Sequence, residues 1–195
     1  MIKRANLKEQ AKQQIRGNIG VLFLCSLLIG LMVLFSAPIL GLGFILAPAF
    51  SISMVMIYLN MTRTIRPEVG NIFDGFSIFG KALWLSIITG FFTWLWSMLF
   101  IVPGIIKSYA YSMAPYILAE NPTMTAREAL RESKRITHGY KADLFILHLS
   151  FIPWLLLCGI TFGIAGIYVI PYMQATTANV YNQIKGDNAS GATIA

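Results

Sequence analysis

Apolar residues in this chain fall into runs too long for the core of a soluble domain, with the polar residues gathered between them. No Asp, Glu, Lys or Arg occurs from residue 17 to 62, from 82 to 106, or from 144 to 184. A helix crosses the hydrocarbon core with about 20 residues, so the first and last runs each hold two spans and the middle run holds one. The pattern predicts an all-α, integral membrane fold of six transmembrane helices, about Ile19–Ser36, Phe44–Met61, Ala82–Ile101, Ile105–Ala119, Leu144–Gly159 and Gly163–Ile184. Pro38, Gly41 and Gly43 turn span 1 into span 2, and Pro103-Gly104 ends span 3. Residues 1–184 form one membrane domain, and 185–195, rich in Gly, Ala, Ser and Asn, read as a disordered tail.

Span 4 is the short one, and it carries Lys107 beside Ser108, Tyr109, Tyr111 and Ser112. A re-entrant segment is its alternative reading, and charge placement arbitrates. With six spans the cytoplasmic segments hold Lys3, Arg4, Lys8, Lys12, Arg16, Arg63, Arg66, Lys81, Arg127, Arg131, Lys134, Arg135, Lys141 and Lys185, leaving only Lys107 of 15 basic residues outside. Five spans would move Arg127 to Lys141 outside, against the positive-inside rule. Six spans with both termini cytoplasmic are therefore expected. The start has the form of a signal peptide, but its apolar run continues past Ala37 without a convincing cleavage site, so it reads as a retained helix.

Composition agrees with this picture: 56% of residues are hydrophobic, 12% are charged, and mean hydropathy is +0.67. A net charge of +7 raises nucleic acid as a partner. Its placement at the ends of apolar runs points instead to anionic lipid headgroups at the cytoplasmic face. Cys25 and Cys158 lie in apolar segments and read as small buried hydrophobes, with a disulfide between them left open.

Two cytoplasmic stretches have the pattern of interfacial amphipathic helices. One covers about Leu7–Arg16, with Leu7, Ala11 and Ile15 on one face. The other opens at the capping box Thr125-Ala-Arg-Glu128, carries Ala126, Ala129, Leu130, Ser133 and Ile136 as its apolar stripe, and ends at Gly139. They read as orientation anchors beside headgroups, or alternatively as docking surfaces for a partner. A shift of 122 residues aligns Lys12 with Lys134, Gly17 with Gly139, Leu22-Phe23 with Leu144-Phe145, and Leu27 with Leu149. One residue more aligns Gly43 with Gly166, Pro48 with Pro171 and Tyr58 with Tyr181. The expectation is a parallel internal repeat, about 7–62 and 129–184, around a central hairpin.

Candidate chemistry concentrates in the even-numbered spans. Each holds a proline, Pro48, Pro115 or Pro171, and a proline inside a helix frees a carbonyl that protein or cavity water must satisfy. Tyr58, Asn60, Tyr111, Ser112, Tyr116, Gln174, Thr177, Asn179 and Tyr181 are the expected interior polar lining, with small-residue helix packing as the plainer alternative. In the loop after span 2, Ile72, Phe73, Phe76 and Phe79 recur at helical spacing around Asp74. Phe73, Asp74 and Phe76, with Arg127, Leu130, Arg131, Lys134 and Arg135, form an expected cytoplasmic contact surface. His148 reads as a helix-contact histidine, Lys107 as a snorkelling lysine, and Glu120 as a partner for a nearby arginine. No mid-membrane carboxylate, catalytic triad, metal spacing or phosphate loop is present in the sequence, so no catalytic residue, metal or cofactor is expected and the chain does not read as an enzyme.

Three stretches carry a family resemblance: Asn71-Ile-Phe-Asp-Gly-Phe76, Val102-Pro-Gly-Ile-Ile-Lys107, and the run from Tyr109 to Pro122, which continues into Glu128–Ser133 and Leu149–Trp154. Over most of residues 3–183 the sequence resembles small bacterial membrane proteins catalogued as domain of unknown function nine hundred and seventy-five. That family looks related to the membrane part of certain glycerophosphodiester phosphodiesterases without their catalytic domain. The resemblance implies six helices and a bacterial plasma-membrane location, and it implies no activity. Ile152-Pro153-Trp154 stands where the family pattern has Ile-Gly-Trp, a change expected to bend span 5. The functional expectation is a membrane-embedded interaction or assembly protein in envelope or lipid homeostasis, with a membrane-protein partner or a second copy. The alternative is a small transporter or channel lined by spans 2, 4 and 6.

Overall fold

The computed structural model describes residues 4–36, 42–99, 101–161 and 163–192. Among them the chain is helical throughout, without strands. The elements are α1 (Arg4–Ile15), α2 (Ile19–Ser36), α3 (Leu42–Thr62), a 3-10 helix (Val69–Ile78), α4 (Phe79–Leu99), α5 (Ile101–Tyr111), α6 (Ala114–Glu120), α7 (Ala126–Ile136), α8 (Lys141–Leu149), α9 (Ile152–Ile160) and α10 (Gly166–Ala192).

Three stretches are long and apolar enough to cross a membrane: Ile45–Thr62, Val69–Leu95 and Lys141–Ile160. A fourth is added if α1 and α2, bent by 85° where Ala5–Ile15 meets Ile19–Phe35, count as one. The count is three to four among the described residues, against six expected. The shortfall has local causes. The expected fourth span is broken at Ser112-Met113 into α5 and α6, with Pro115 in the first turn of α6, where a missing N–H leaves no bond unmade. The sixth, in α10, spreads Gln174, Thr176, Thr177 and Asn179 along its length. Pro153 opens α9 after a break at Ser150-Phe151, within the stretch Lys141–Ile160 that still counts as a span.

Two boundaries differ from the sequence pattern. α5 begins at Ile101, so Pro103 lies in its first turn and does not end the preceding helix. α10 continues through Ala192, so the tail expected to be disordered from Lys185 is helical over most of its length. Asn188 Nδ2 donates to Ile136 O at 3.3 Å and Ile184 O at 2.8 Å there, tying the extension to α7. The Pro38 and Gly41 turn lies outside the described residues.

The helices divide by exposure. The apolar stretch of α3 is 56% buried, against 17% for each of the other two. Phe50, Ile52, Ile57, Tyr58 and Leu59 make α3 the centre of the core. α2, α4 and the α8–α9 pair instead expose large apolar side chains, among them Leu31, Phe91, Trp94, Leu155 and Ile160. α3 packs on α6 and α10. The amphipathic segments follow one packing rule: the 3-10 helix lies on α3, α7 on α6, and α1 on α10. Gly17 and Gly139, after α1 and α7, both take the left-handed conformation at φ +90° and +87°. Positions aligned across them are buried alike: Ala11 with Ser133, Ile15 with Thr137, Leu22 with Leu144, Cys25 with Leu147. Both cysteines are free thiols.

Gly75 sets how closely the 3-10 helix approaches α3. Its N–H donates to Ser53 Oγ at 2.9 Å, and Ser53 Oγ donates to Ala49 O at 3.0 Å. A Cβ at Gly75 would stand 2.2 Å from Ala49 O and 2.6 Å from Ser53 Oγ. Gly75→Ala must push the segment off α3, at about 1–3 kcal/mol of stability. Gly80→Ala, which meets nothing within 4 Å, serves as the control. Melting of the detergent-purified protein by fluorescence-detected size exclusion should show a lower transition for Gly75→Ala alone.

Candidate functional site

α3 and α6 end together beside α10, which runs on past them to Ala192, and each of the three carries a proline. Each contributes a buried tyrosine: Tyr58, Tyr116 and Tyr181. The rings of Tyr116 and Tyr181 stack at 5.6 Å. Beyond them the ends of α3 and α6 and a turn within α10 converge on one carboxylate. Glu120 Oε1 accepts from Arg63 Nη2 at 2.5 Å, and Glu120 Oε2 accepts from Tyr181 Oη at 2.6 Å and pairs with Lys185 Nζ at 2.8 Å. Asn182 Nδ2 donates to Thr62 Oγ1 at 2.7 Å, and Gln14 and Asn179 exchange amide hydrogen bonds at 3.0–3.1 Å, fastening α1 to the same end. Arg63 had no assigned role in the sequence, although the expectation of an arginine beside Glu120 points to it.

Burial by itself pushes the Glu120 carboxyl up. The hydrogen bonds from Lys185 and Tyr181, with the charges of Lys185 and Arg63, outweigh it and hold the group below its ordinary value. Asp74, Asn60, Met56, Leu59 and Ala119 line a small cavity of ≈ 160 Å³ with Arg63 and Glu120.

A larger cleft of ≈ 470 Å³ opens between α3, the α5–α6 break and α10. Ser51, Ser112, Tyr116, Gln174 and Thr177 line it, and α8 contributes His148, whose Nδ1 is 2.9 Å from Leu144 O. Of the expected polar lining, Tyr58, Tyr116, Asn179 and Tyr181 are buried, and Asn60, Tyr111, Ser112 and Thr177 half-buried. Gln174 is exposed, although it lines the cleft. Pro48 and Pro171 are buried and Pro115 is half-buried.

The expected contact surface separates into exposed and structural residues. The capping box forms in both directions, Glu128 N to Thr125 Oγ1 at 3.3 Å and Thr125 N to Glu128 Oε2 at 2.8 Å. The apolar stripe of α7 is buried, Ser133 Oγ donating to Ala110 O at 2.8 Å. Arg127, Arg131, Lys134 and Arg135 are exposed, whereas Leu130 is only 8% exposed and belongs to the core. Arg135 is paired with Glu132 at 2.6 Å. Phe73 and Asp74 are exposed. Phe76 sits edge-on to Phe50 at 5.1 Å and stacks on Phe79 at 6.2 Å, so it holds the segment in place.

Residues 100–188 match the family model described as a protein of unknown function (DUF975). The match covers α5 to α10 and so includes Glu120, α7 and most of the cleft. It is shorter than the stretch over which the sequence resembles that family. No curated protein and no solved structure matches the chain. Among the described residues no group of His, Cys, Asp and Glu has the geometry to hold a metal ion.

Glu120→Gln removes the charge that both cations share. Arg63 and Lys185 are about half exposed, so solvent screening limits the loss to about 1–2 kcal/mol. With its pKa lowered in the fold, Glu120 stabilises fully above its unfolded value of about 4.3. That contribution fades as pH falls through the folded value. Wild-type melting should therefore drop on acidification below about pH 4.3, and the Gln variant should show a shallower drop. An identical pH profile in the two proteins would remove Glu120 from this role.

Proposed function

We propose that the chain is a six-span protein of the bacterial plasma membrane, with both termini cytoplasmic, that works as a membrane-embedded interaction or assembly protein. The six spans are read as three copies of one unit: an amphipathic segment, an outer span and an inner span with a proline. The units are α1–α2–α3, the 3-10 helix with α4, α5 and α6, and α7 to α10. Each amphipathic segment packs on the inner span of the unit before it, cyclically, and each inner span also touches the outer span of the next: α3 with α4, α5 with α8, α10 with α2. The central hairpin is then a third copy, where the sequence alignment suggested an insert between two. Clustering of Arg63, Glu120 and Lys185 supports inner spans that end on one side, and Lys81 Nζ, donating to Pro122 O and Thr123 O, supports α4 beginning there.

The observation that carries the function is the state of α7. Its apolar stripe is consumed inside the protein, so its basic face is presented from a fixed platform and not from a helix floating on lipid. Phe73 and Asp74 add a second exposed patch. The occupant of such a surface is a partner membrane protein or another copy of this chain.

A second reading, a small transporter or channel, is favoured by one feature: the cleft draws polar side chains from α3, the α5–α6 break, α6, α8 and α10 together.

Reporter fusions after residues 40, 72, 104, 130 and 162 should read outside, inside, outside, inside, outside; an external 130 would overturn the six-span topology. For the interaction role, a photo-crosslinking residue is placed at Phe73, Arg135 or, as an apolar-belt control, Phe91 in native membranes. Discrete protein adducts are expected from the first two positions and not from Phe91. Silence at Phe73 and Arg135, or one common ladder from all three, would count against the proposal.

A further inference from the structure

The basic face of α7 does not simply look into solvent. Where it passes the α4–α5 hairpin it forms the rim of a groove of ≈ 390 Å³, within the size range of small-ligand sites, about 300–1,000 Å³. The two sides of this groove differ in chemistry. Ile88 and Phe92, one turn apart on α4, give an apolar wall, and Phe92 is 41% exposed. Arg127, Arg131 and Lys134 line the opposite edge at i, i+4 and i+7, a single stripe of α7. Among the described residues none of these three cations has a salt-bridge partner. The acids nearest in sequence are both engaged elsewhere, Glu128 by Thr125 in the capping box and Glu132 by Arg135, although Glu128 also feels the charge of Arg131. Tyr111 stands between the two sides, half-buried, and no hydrogen bond to its hydroxyl is present among the described residues.

An apolar wall, three cations without salt-bridge partners and a phenol lining one shared groove match one kind of molecule. We propose that this groove binds an anionic glycerophospholipid of the cytoplasmic leaflet. Its phosphate sits among Arg127, Arg131 and Lys134, its ester region accepts from Tyr111 Oη, and the upper part of an acyl chain lies along Ile88 and Phe92. Trp84, 48% exposed one turn before Ile88 on α4, marks headgroup depth beside the site, as interfacial tryptophans do. A soluble acidic peptide would leave the Ile88–Phe92 wall in water, and a zwitterionic lipid would bring its own headgroup cation against the three basic side chains. The proposal rests on the membrane-spanning interaction reading and names one partner of its basic surface.

The test uses the full chain in a non-ionic detergent and native mass spectrometry with equal amounts of dioleoyl phosphatidylglycerol and dioleoyl phosphatidylcholine. At about 1 kcal/mol per basic residue near an anionic lipid, the groove should favour phosphatidylglycerol on the order of a hundredfold at low salt. The triple variant R127Q/R131Q/K134Q should reduce that preference to about threefold or less. A control triple, R135Q/H138Q/K141Q, removes basic side chains that do not line this groove, from the last turn of α7 to the first residue of α8, and should keep the preference. Ile88→Trp, which fills the apolar wall and leaves every charge in place, should weaken retention of phosphatidylglycerol about tenfold or more. Glycerol 3-phosphate, the headgroup chemistry without chains, should fail to displace the bound lipid.

Equal loss in the control triple would reduce the site to diffuse surface charge and overturn the proposal. So would displacement by glycerol 3-phosphate, or no effect of Ile88→Trp, since either makes the apolar wall irrelevant. Lipid selectivity without crosslinked adducts at Phe73 and Arg135 would sink the protein-interaction reading alone. Adducts without lipid selectivity would sink the lipid site alone.

Discussion

Everything at one end of this molecule is organised by the Glu120 carboxylate. α3 and α6 end there and α10 passes beside them, and α3 and α10 carry prolines inside the helix that weaken their own hydrogen-bond ladders. Helix C-termini also leave carbonyls unpaired and carry partial negative charge, so bringing the ends of α3 and α6 together is unfavourable without cations. Arg63 and Lys185, one from the end of α3 and one from α10, answer that need, and Glu120 keeps the two cations from repelling each other. Buried Tyr181 reaches the same carboxylate from within the core and links the ionic layer to the tyrosine layer beneath it. The polar residues of α6 and α10 are thus drawn inward by specific partners.

A second constraint follows from the amphipathic segments. A helix with an apolar stripe must bury it, and lipid is one solution among others. This fold takes the other: α1, the 3-10 helix and α7 each press their stripe against a proline-bearing helix. Gly75 brings the 3-10 helix close enough for its backbone to bond Ser53, and the amide pair of Gln14 and Asn179 does a similar task for α1. The consequence for function is orientation. Basic side chains on α7 are presented at fixed positions relative to α4 and α5, which turns a general affinity for anionic surfaces into a candidate for selective recognition.

Much of the candidate surface was legible before any coordinates. The capping box at Thr125 and Glu128 depends only on residues three apart, so it is written in the sequence and forms in the structure. Arg127, Arg131, Lys134 and Arg135 fall outward because they alternate with a buried stripe at helical period. Leu130 and Phe76 were misplaced for a common reason: apolar residues beside charged ones read as contact surface until the helix they cover is known. Leu130 packs into the core, and Phe76 packs on Phe50, a residue 26 positions earlier. Gln174 lines the cleft and is nonetheless exposed. Its direction depends on which side of α10 meets α3, and no periodicity reveals that.

The sequence by itself determined the helical class, the apolar runs, the positions of the prolines and the segregation of basic residues, because each depends on local composition or on spacing within one helix. The tertiary structure decided the break at Ser112-Met113, the helical extension through Ala192, and the meeting of Arg63, Glu120 and Lys185. It also decided that Ile88, Phe92 and Tyr111 share a groove with the cations of α7. Such outcomes join residues tens of positions apart, and they depend on how helices cross and which faces they bury. A hydrophobic run states that a surface must leave water; only packing states what it meets.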